Sequence, residues 1–126
     1  MEPSICRKAE SDARCADAGW GTLTWLANTE IGNASGITVG LVTVRPGQSN
    51  PRHTHPNCEE VLYLLSGRLE HTLGNETVTL EAGDVLSITP GCFHHATNRG
   101  LEDARMIVAY PCGEREFVLE DAPPKK

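Results

Sequence analysis

Short runs of alternating hydrophobic and polar residues, separated by glycine and proline, run through most of this chain. Thr22 to Asn28 (TLTWLAN) alternates and predicts a strand. Thr29 to Gly36, with its Asn and Gly residues, predicts a turn. Ile37 to Val44 (ITVGLVTV) is a β-branched run and predicts a second strand. Pro46-Gly47 suits the centre of a type II turn, because proline fixes φ at the first corner and glycine accepts positive φ at the next. Pro56-Asn57 predicts a turn, and Glu59 to Leu65 a half-apolar strand. In that strand Glu60, Leu62 and Leu64 share one face, and Glu59, Val61, Tyr63 and Leu65 share the other. Arg68 to Leu73, Gly74-Asn75 and Thr77 to Leu80 predict a hairpin, and Ala82-Gly83-Asp84 a further turn. Val85 to Thr89 and Ala104 to Tyr110 (ARMIVAY) complete the strands. Short strands closed by glycine turns at this spacing argue for an all-β sandwich or barrel. No repeat or linker interrupts them. The expected organisation is a loose arm over residues 1–20 with a strand at the sheet edge, one domain over 21–120, and a frayed tail over 121–126 that includes Pro123-Pro124-Lys125-Lys126.

Composition agrees with one globular domain. The 126 residues lie near the modal domain size and can bury a core. Aromatics make up only 5%, so that core must lean on Val, Leu and Ile. The formal charge of −6, with no basic cluster, argues against nucleic acid and anionic membrane surfaces as partners. No 18-residue apolar run exists and the first residues lack the order of a signal peptide, so the cytoplasm is the default expectation. Five cysteines (Cys6, Cys15, Cys58, Cys92 and Cys112) form an odd, scattered set rather than a disulfide framework. Cys58 and Cys92 lie next to the histidines discussed below; a small buried hydrophobe is the simpler role for each.

The chemistry concentrates in His53-Thr54-His55, Glu60 and His94. Residues two apart in a strand share a face, so His53 and His55 project inward and Thr54 outward. Three imidazoles and one carboxylate suit a divalent transition metal. A surface histidine pair needs no metal, but the added Glu60, His94 and glycine punctuation favour one.

Gly47-x5-His53-x-His55-x4-Glu60-x6-Gly67 resembles the first motif of the cupin superfamily. Gly83 through Asp84, Gly91 and His94 to Asn98 resembles the second, with Thr89 where the family usually carries proline and Pro90 one place later. The 15 residues between the motifs match its compact members. The resemblance implies a single-domain antiparallel β-barrel or jelly roll with His53, His55, Glu60 and His94 as metal ligands. Glu59 is the rival carboxylate and His95 the rival histidine. It implies one divalent metal, iron first, with manganese, nickel or zinc as alternatives. It also implies a small-molecule substrate and a homodimer. The leading activity is that of a mononuclear non-haem dioxygenase. The alternatives are Lewis-acid chemistry as an isomerase, lyase or cyclase, or a non-catalytic binding module.

His71 shares parity with Leu69 and Leu73 and is a candidate acid/base group near the metal, as is His95. Arg45, Arg52 and Arg105 are candidates to clamp a substrate carboxylate or plain surface arginines. Trp20 and Trp25 are expected to pack or to join an interface. Asn98 is expected to hydrogen-bond near His94 or to form a turn. Met106, Val108 and Tyr110 share a face opposite Ile107, and either set can face the interior.

Overall fold

A computed structural model describes residues 14–120 as two antiparallel sheets, with no helix among the described residues. The first sheet contains β1 (Arg14–Asp17), β2 (Gly21–Ala27), β3 (Thr38–Val44), β5 (Glu60–Ser66), β8 (Val85–Ile88) and β10 (Ala104–Tyr110), in the order β1-β2-β3-β10-β5-β8. The second contains β4 (His53–Thr54), β6 (Arg68–Leu73), β7 (Glu76–Glu81), β9 (His94–Thr97) and β11 (Val118–Leu119), in the order β11-β4-β9-β6-β7. The fold is an all-β jelly roll. Cys6, most of the expected arm and the 121–126 tail lie outside the described residues. The described part of the arm holds the edge strand β1, paired to β2.

Strict alternation builds the interior. On β5, Glu60, Leu62 and Leu64 are buried while Val61, Tyr63 and Leu65 stay exposed. On β10, Met106, Val108 and Tyr110 are buried, which decides the face that the sequence left open. Leu62, Leu64, Leu69, Val44 and Ala104 form the driest part of the core. Strand ends shift by a residue or two: Ile37 stays exposed outside β3 because pairing to β10 starts at Thr38, and Thr89 falls outside β8.

The turns form where glycine permits them. Gln48 N–H donates to Arg45 O (3.1 Å) around Pro46-Gly47, with Gly47 at φ 75° as a type II turn requires. Cys58 N–H closes the Pro56-Asn57 turn on His55 O (3.4 Å). The shifted proline is accommodated in the same way: Cys92 N–H donates to Thr89 O (3.3 Å), with Pro90 and Gly91 (φ 79°) at the corners. Gly67 carries the chain from β5 in one sheet to β6 in the other. It sits at φ 83°, and a Cβ there would lie 2.7 Å from both Ala104 Cα and Asp103 O, so only glycine fits.

Candidate metal centre

Three short elements bring the histidines together. His53 is paired across the ladder with His94 of β9, and His55 follows β4 immediately. One ring nitrogen from each of His53, His55 and His94 lies within 4.8 Å of the others. Glu60, the first residue of β5, reaches them from the opposite sheet. Its Oε1 lies 3.3 Å from His55 Nε2 and 3.4 Å from His94 Nε2. Glu59, the rival carboxylate, is exposed on the other face of the chain.

The backs of the imidazoles are fixed by the main chain. Nδ1–H of His53 donates to Pro51 O (2.6 Å), that of His55 to Glu116 O (2.7 Å) and that of His94 to Cys92 O (2.9 Å). A neutral ring that donates from Nδ1 keeps a lone pair on Nε2 for a cation. The Nε2 atoms of His55 and His94 and Oε1 of Glu60 are buried with no hydrogen-bond partner. Electron pairs crowded at 3.3–3.4 Å in a dry site need a proton or a cation between them. Burial, reinforced by His94 and His55, pushes His53 down to about 3, so this ring stays neutral at ordinary pH. Burial raises the Glu60 carboxyl, but hydrogen bonds and positive charge from the His55 and His94 side outweigh it and hold it below the usual carboxylate range, so the carboxylate is tuned to face a proton or a cation there. Imidazole nitrogens gathered beside an ionised carboxylate fit a divalent metal ion.

The other candidates separate. His71 is fully buried, borders the same cavity and stacks on His94 with centroids 5.9 Å apart at 26°. Neither ring nitrogen has a partner, and burial lowers its pKa to about 4. His95 does not join it. Alternation along β9 turns it away from His94, and it borders no part of the cavity. Its pKa is lowered by burial and then by Arg52. His95 is therefore not among the side chains that line the cavity. Thr54 lies on the parity opposite to His53 and His55 and does not line the cavity; it is nevertheless buried, with its hydroxyl unpartnered.

None of the three arginines singled out in the sequence borders the cavity. Arg45 pairs with Asp17 (2.7 Å), Arg52 with Glu120 (2.8 Å), and Arg105 is exposed. Asn98 is the turn former, fully buried. Its Nδ2 donates to Val44 O (2.9 Å) and Glu102 O (2.7 Å), and its Oδ1 accepts from Gly100 N–H (2.9 Å). Cys58 is a buried thiol, pushed up to about 12 by burial and by the neighbouring Cys112. Cys92 is half-buried against the core.

The histidines open onto a cavity of about 400 Å³. Leu23, Val42, Met106 and Val108 line it from one sheet, with Trp20 just before β2, and Phe117 and Leu119 from the other side. Arg115 and Phe117 escaped the sequence reading as lining residues, and Tyr110 was left open by it. Phe117 stacks on His53 (4.7 Å, 25°), Tyr110 meets His55 edge-on (5.0 Å), and Arg115 lies with its guanidinium 4.6 Å from the Trp25 ring. Tyr110 was detectable by its parity with Met106 and Val108. Arg115 and Phe117 carry no periodic signal. Their segment is held by side-chain bonds to Asn57, whose Nδ2 donates to Glu114 O (3.0 Å) and whose Oδ1 accepts from Glu116 N–H (2.8 Å). No helix among the described residues is long and apolar enough to cross a membrane.

Comparison with known proteins agrees with this geometry. Polyketide synthase CurC of Streptomyces cyaneus is 40% identical over 84 residues, covering 67% of this chain and 54% of CurC. The tetracenomycin polyketide synthase protein TcmJ of Streptomyces glaucescens is 35% identical over 89 residues, 71% of this chain and 59% of TcmJ. The chain thus spans a little over half the length of these curated relatives. In fold it is similar to Lactobacillus farciminis oxalate decarboxylase (TM-score 0.81, 22% identity, 87% of this chain and 34% of that one). Bacillus subtilis oxalate decarboxylase, a protein with Mn(II) centres, is similar in fold to the same degree (TM-score 0.81, 24% identity, 88% and 31%). The family model for the cupin domain matches residues 40–110, which hold all four candidate ligands. With that match over more than half its length, and with histidines suited to a divalent metal at its centre, the chain belongs to the cupin family.

Proposed function

We propose that this chain is a metal-dependent small-molecule enzyme of the mononuclear non-haem dioxygenase type, acting on a planar, largely apolar compound of polyketide origin. The observation that carries the reading is the set of unpartnered donor atoms (His55 Nε2, His94 Nε2 and Glu60 Oε1) on residues that line an apolar cavity. His53, His55, Glu60 and His94 would hold the ion. Four protein ligands on a six-coordinate ion leave two positions open. Fe(II), when bound, supplies the electrons that dioxygen activation needs. The remaining work falls to the chain. Trp20, Val42, Met106 and Phe117 exclude water and give a flat substrate its surfaces, within the usual size range of small-molecule pockets. The names of two relatives, CurC and TcmJ, support the polyketide substrate class.

A second reading is favoured by His71. A neutral, partnerless imidazole inside the cavity is placed to take or return a proton, which suits isomerase, lyase or cyclase chemistry on a polarised carbonyl. The test is anaerobic loading with Fe(II), followed by oxygen-uptake measurements across a panel of polyphenols and 1,3-diketones. Substrate-dependent oxygen uptake that is absent from the His53→Ala, His55→Ala double variant is the expected result. Deuterium exchange from solvent into a diketone, without oxygen uptake and abolished by His71→Gln, would replace it with the second reading. Neither activity with a fully loaded protein would reduce the chain to a binding module.

A further inference from the structure

Arg115 is an arginine set apart. Arg14, Arg45, Arg52, Arg68 and Arg99 each pair with a carboxylate, and Arg105 lies exposed. Arg115 borders the metal cavity, and no carboxylate among the described residues reaches it. This holds although the chain carries 17 Asp and Glu residues and a net charge of −6. Its guanidinium carbon lies 4.6 Å from the ring centroid of Trp25, 5.3 Å from that of Tyr110 and 5.5 Å from that of Phe117. Contact with ring faces steadies a guanidinium while using none of its N–H groups. Among the described residues the polar atom within hydrogen-bond reach of it is His55 Nδ1, 3.4 Å from Nη1. That nitrogen already donates to Glu116 O at 2.7 Å, so it has no lone pair to offer. A planar fork of donors, half-buried, is thus held where the metal cavity meets a neighbouring pocket over Trp25, with no protein group among the described residues to accept from it.

We propose that Arg115 recognises a carboxylate on the molecule that fills the cavity, and so fixes which end of that molecule faces the histidines. The proposal rests on the reading of the cavity as a small-molecule site and narrows its occupant to anions. Charge balance points the same way. Glu60 supplies the one carboxylate lining the cavity, and Arg115 together with a divalent ion would leave the site net positive. A guanidinium–carboxylate pair in such a place is bidentate and charge-assisted.

The test uses 2-naphthoate and 2-naphthamide, which match in shape and differ in charge. Both are titrated calorimetrically into the full chain loaded with redox-inert Zn(II), and into the chelated chain. The expected result is a naphthoate preference on the order of tenfold or more in both forms. In Arg115→Met the ratio falls to near one, and in Arg115→Lys it lies between. If Arg115→Met does not fold, Arg115→Gln carries the same comparison. No preference in the wild-type chain overturns the proposal, as does a preference that these variants leave intact. A preference that vanishes on chelation but survives in the variants assigns the anion to the metal instead. That result overturns the role of Arg115 and leaves the metal-enzyme reading standing. Conversely, a chain that takes up no Zn(II) defeats that reading, while the Arg115 comparison still runs on the metal-free form.

Discussion

Glu60 and Leu64 lie four residues apart on the same face of β5, and both are buried, at 4% and 0% exposure. Around Leu64 the neighbours are apolar and the region is complete as it stands. Around Glu60 they are imidazole nitrogens whose hydrogens point away, and the region is incomplete without a positive charge. Equal burial therefore conceals opposite requirements. What separates a core from a site here is whether each buried polar atom has an answer, not the depth at which it lies.

Exchanging the two characters gives the largest expected effect. Glu60→Leu should weaken metal binding by more than the roughly 10–100-fold typical of losing an outer hydrogen-bonding partner. The same variant, stripped of metal, should unfold earlier than stripped wild type by about 3–5 kcal/mol, because one partner of a buried set is removed and the facing imidazoles are left without it. Elemental analysis and chemical denaturation of both forms read the two effects; unchanged metal content would break the comparison outright. Leu64→Ala is the converse. It should cost about 2–5 kcal/mol in denaturation while retaining full metal stoichiometry, since it opens a void remote from the donors.

His71 sits between these extremes, buried like a core residue yet ionisable. Its folded pKa of about 4 lies below its ordinary 6.5, so the unfolded chain binds the proton more tightly. Stability of the metal-free protein should therefore rise with pH between about 4 and 6.5, and this group adds no slope above that window. Burial, the main cause of the shift, makes the contribution up to about 3 kcal/mol. His71→Gln should flatten the profile by that amount; an identical profile would show that His71 is not buried neutral. The smallest effect belongs to Thr54, whose buried hydroxyl has no partner and no metal to serve. Thr54→Val should leave metal content unchanged and either preserve stability or raise it by about 1 kcal/mol. A loss of metal in this variant would blur the line between orphan atoms that belong to the site and those that do not.

Much of the site was legible because its residues obey strand parity. Glu60 with Leu62 and Leu64 follows a period of two, and the Gly47, Gly67 and Gly91 turns mark where the chain reverses. Even the displaced proline left the second motif readable, since Pro90-Gly91 serves as the corner pair. What stayed hidden has a common physical cause. Residues 112–117 (CGEREF) lack alternation, and their place is set by tertiary bonds to Asn57 and by Thr29 N–H donating to Gly113 O (3.1 Å). Neither tie is visible along the chain. Thr54 misled for a related reason: parity gives the side of a sheet on which a residue lies but not whether something covers that side.

The seat of Arg115 has one more consequence. The chain contains two tryptophans, Trp20 in the wall of the metal cavity and Trp25 beneath the guanidinium. All of its indole emission thus originates at or beside the cavity, with none from the remote core to dilute it. The protein carries its own optical gauge of occupancy: anything that enters, or any movement of the 112–117 segment, changes the surroundings of one indole or the other, and a fluorimeter reads the event without a label.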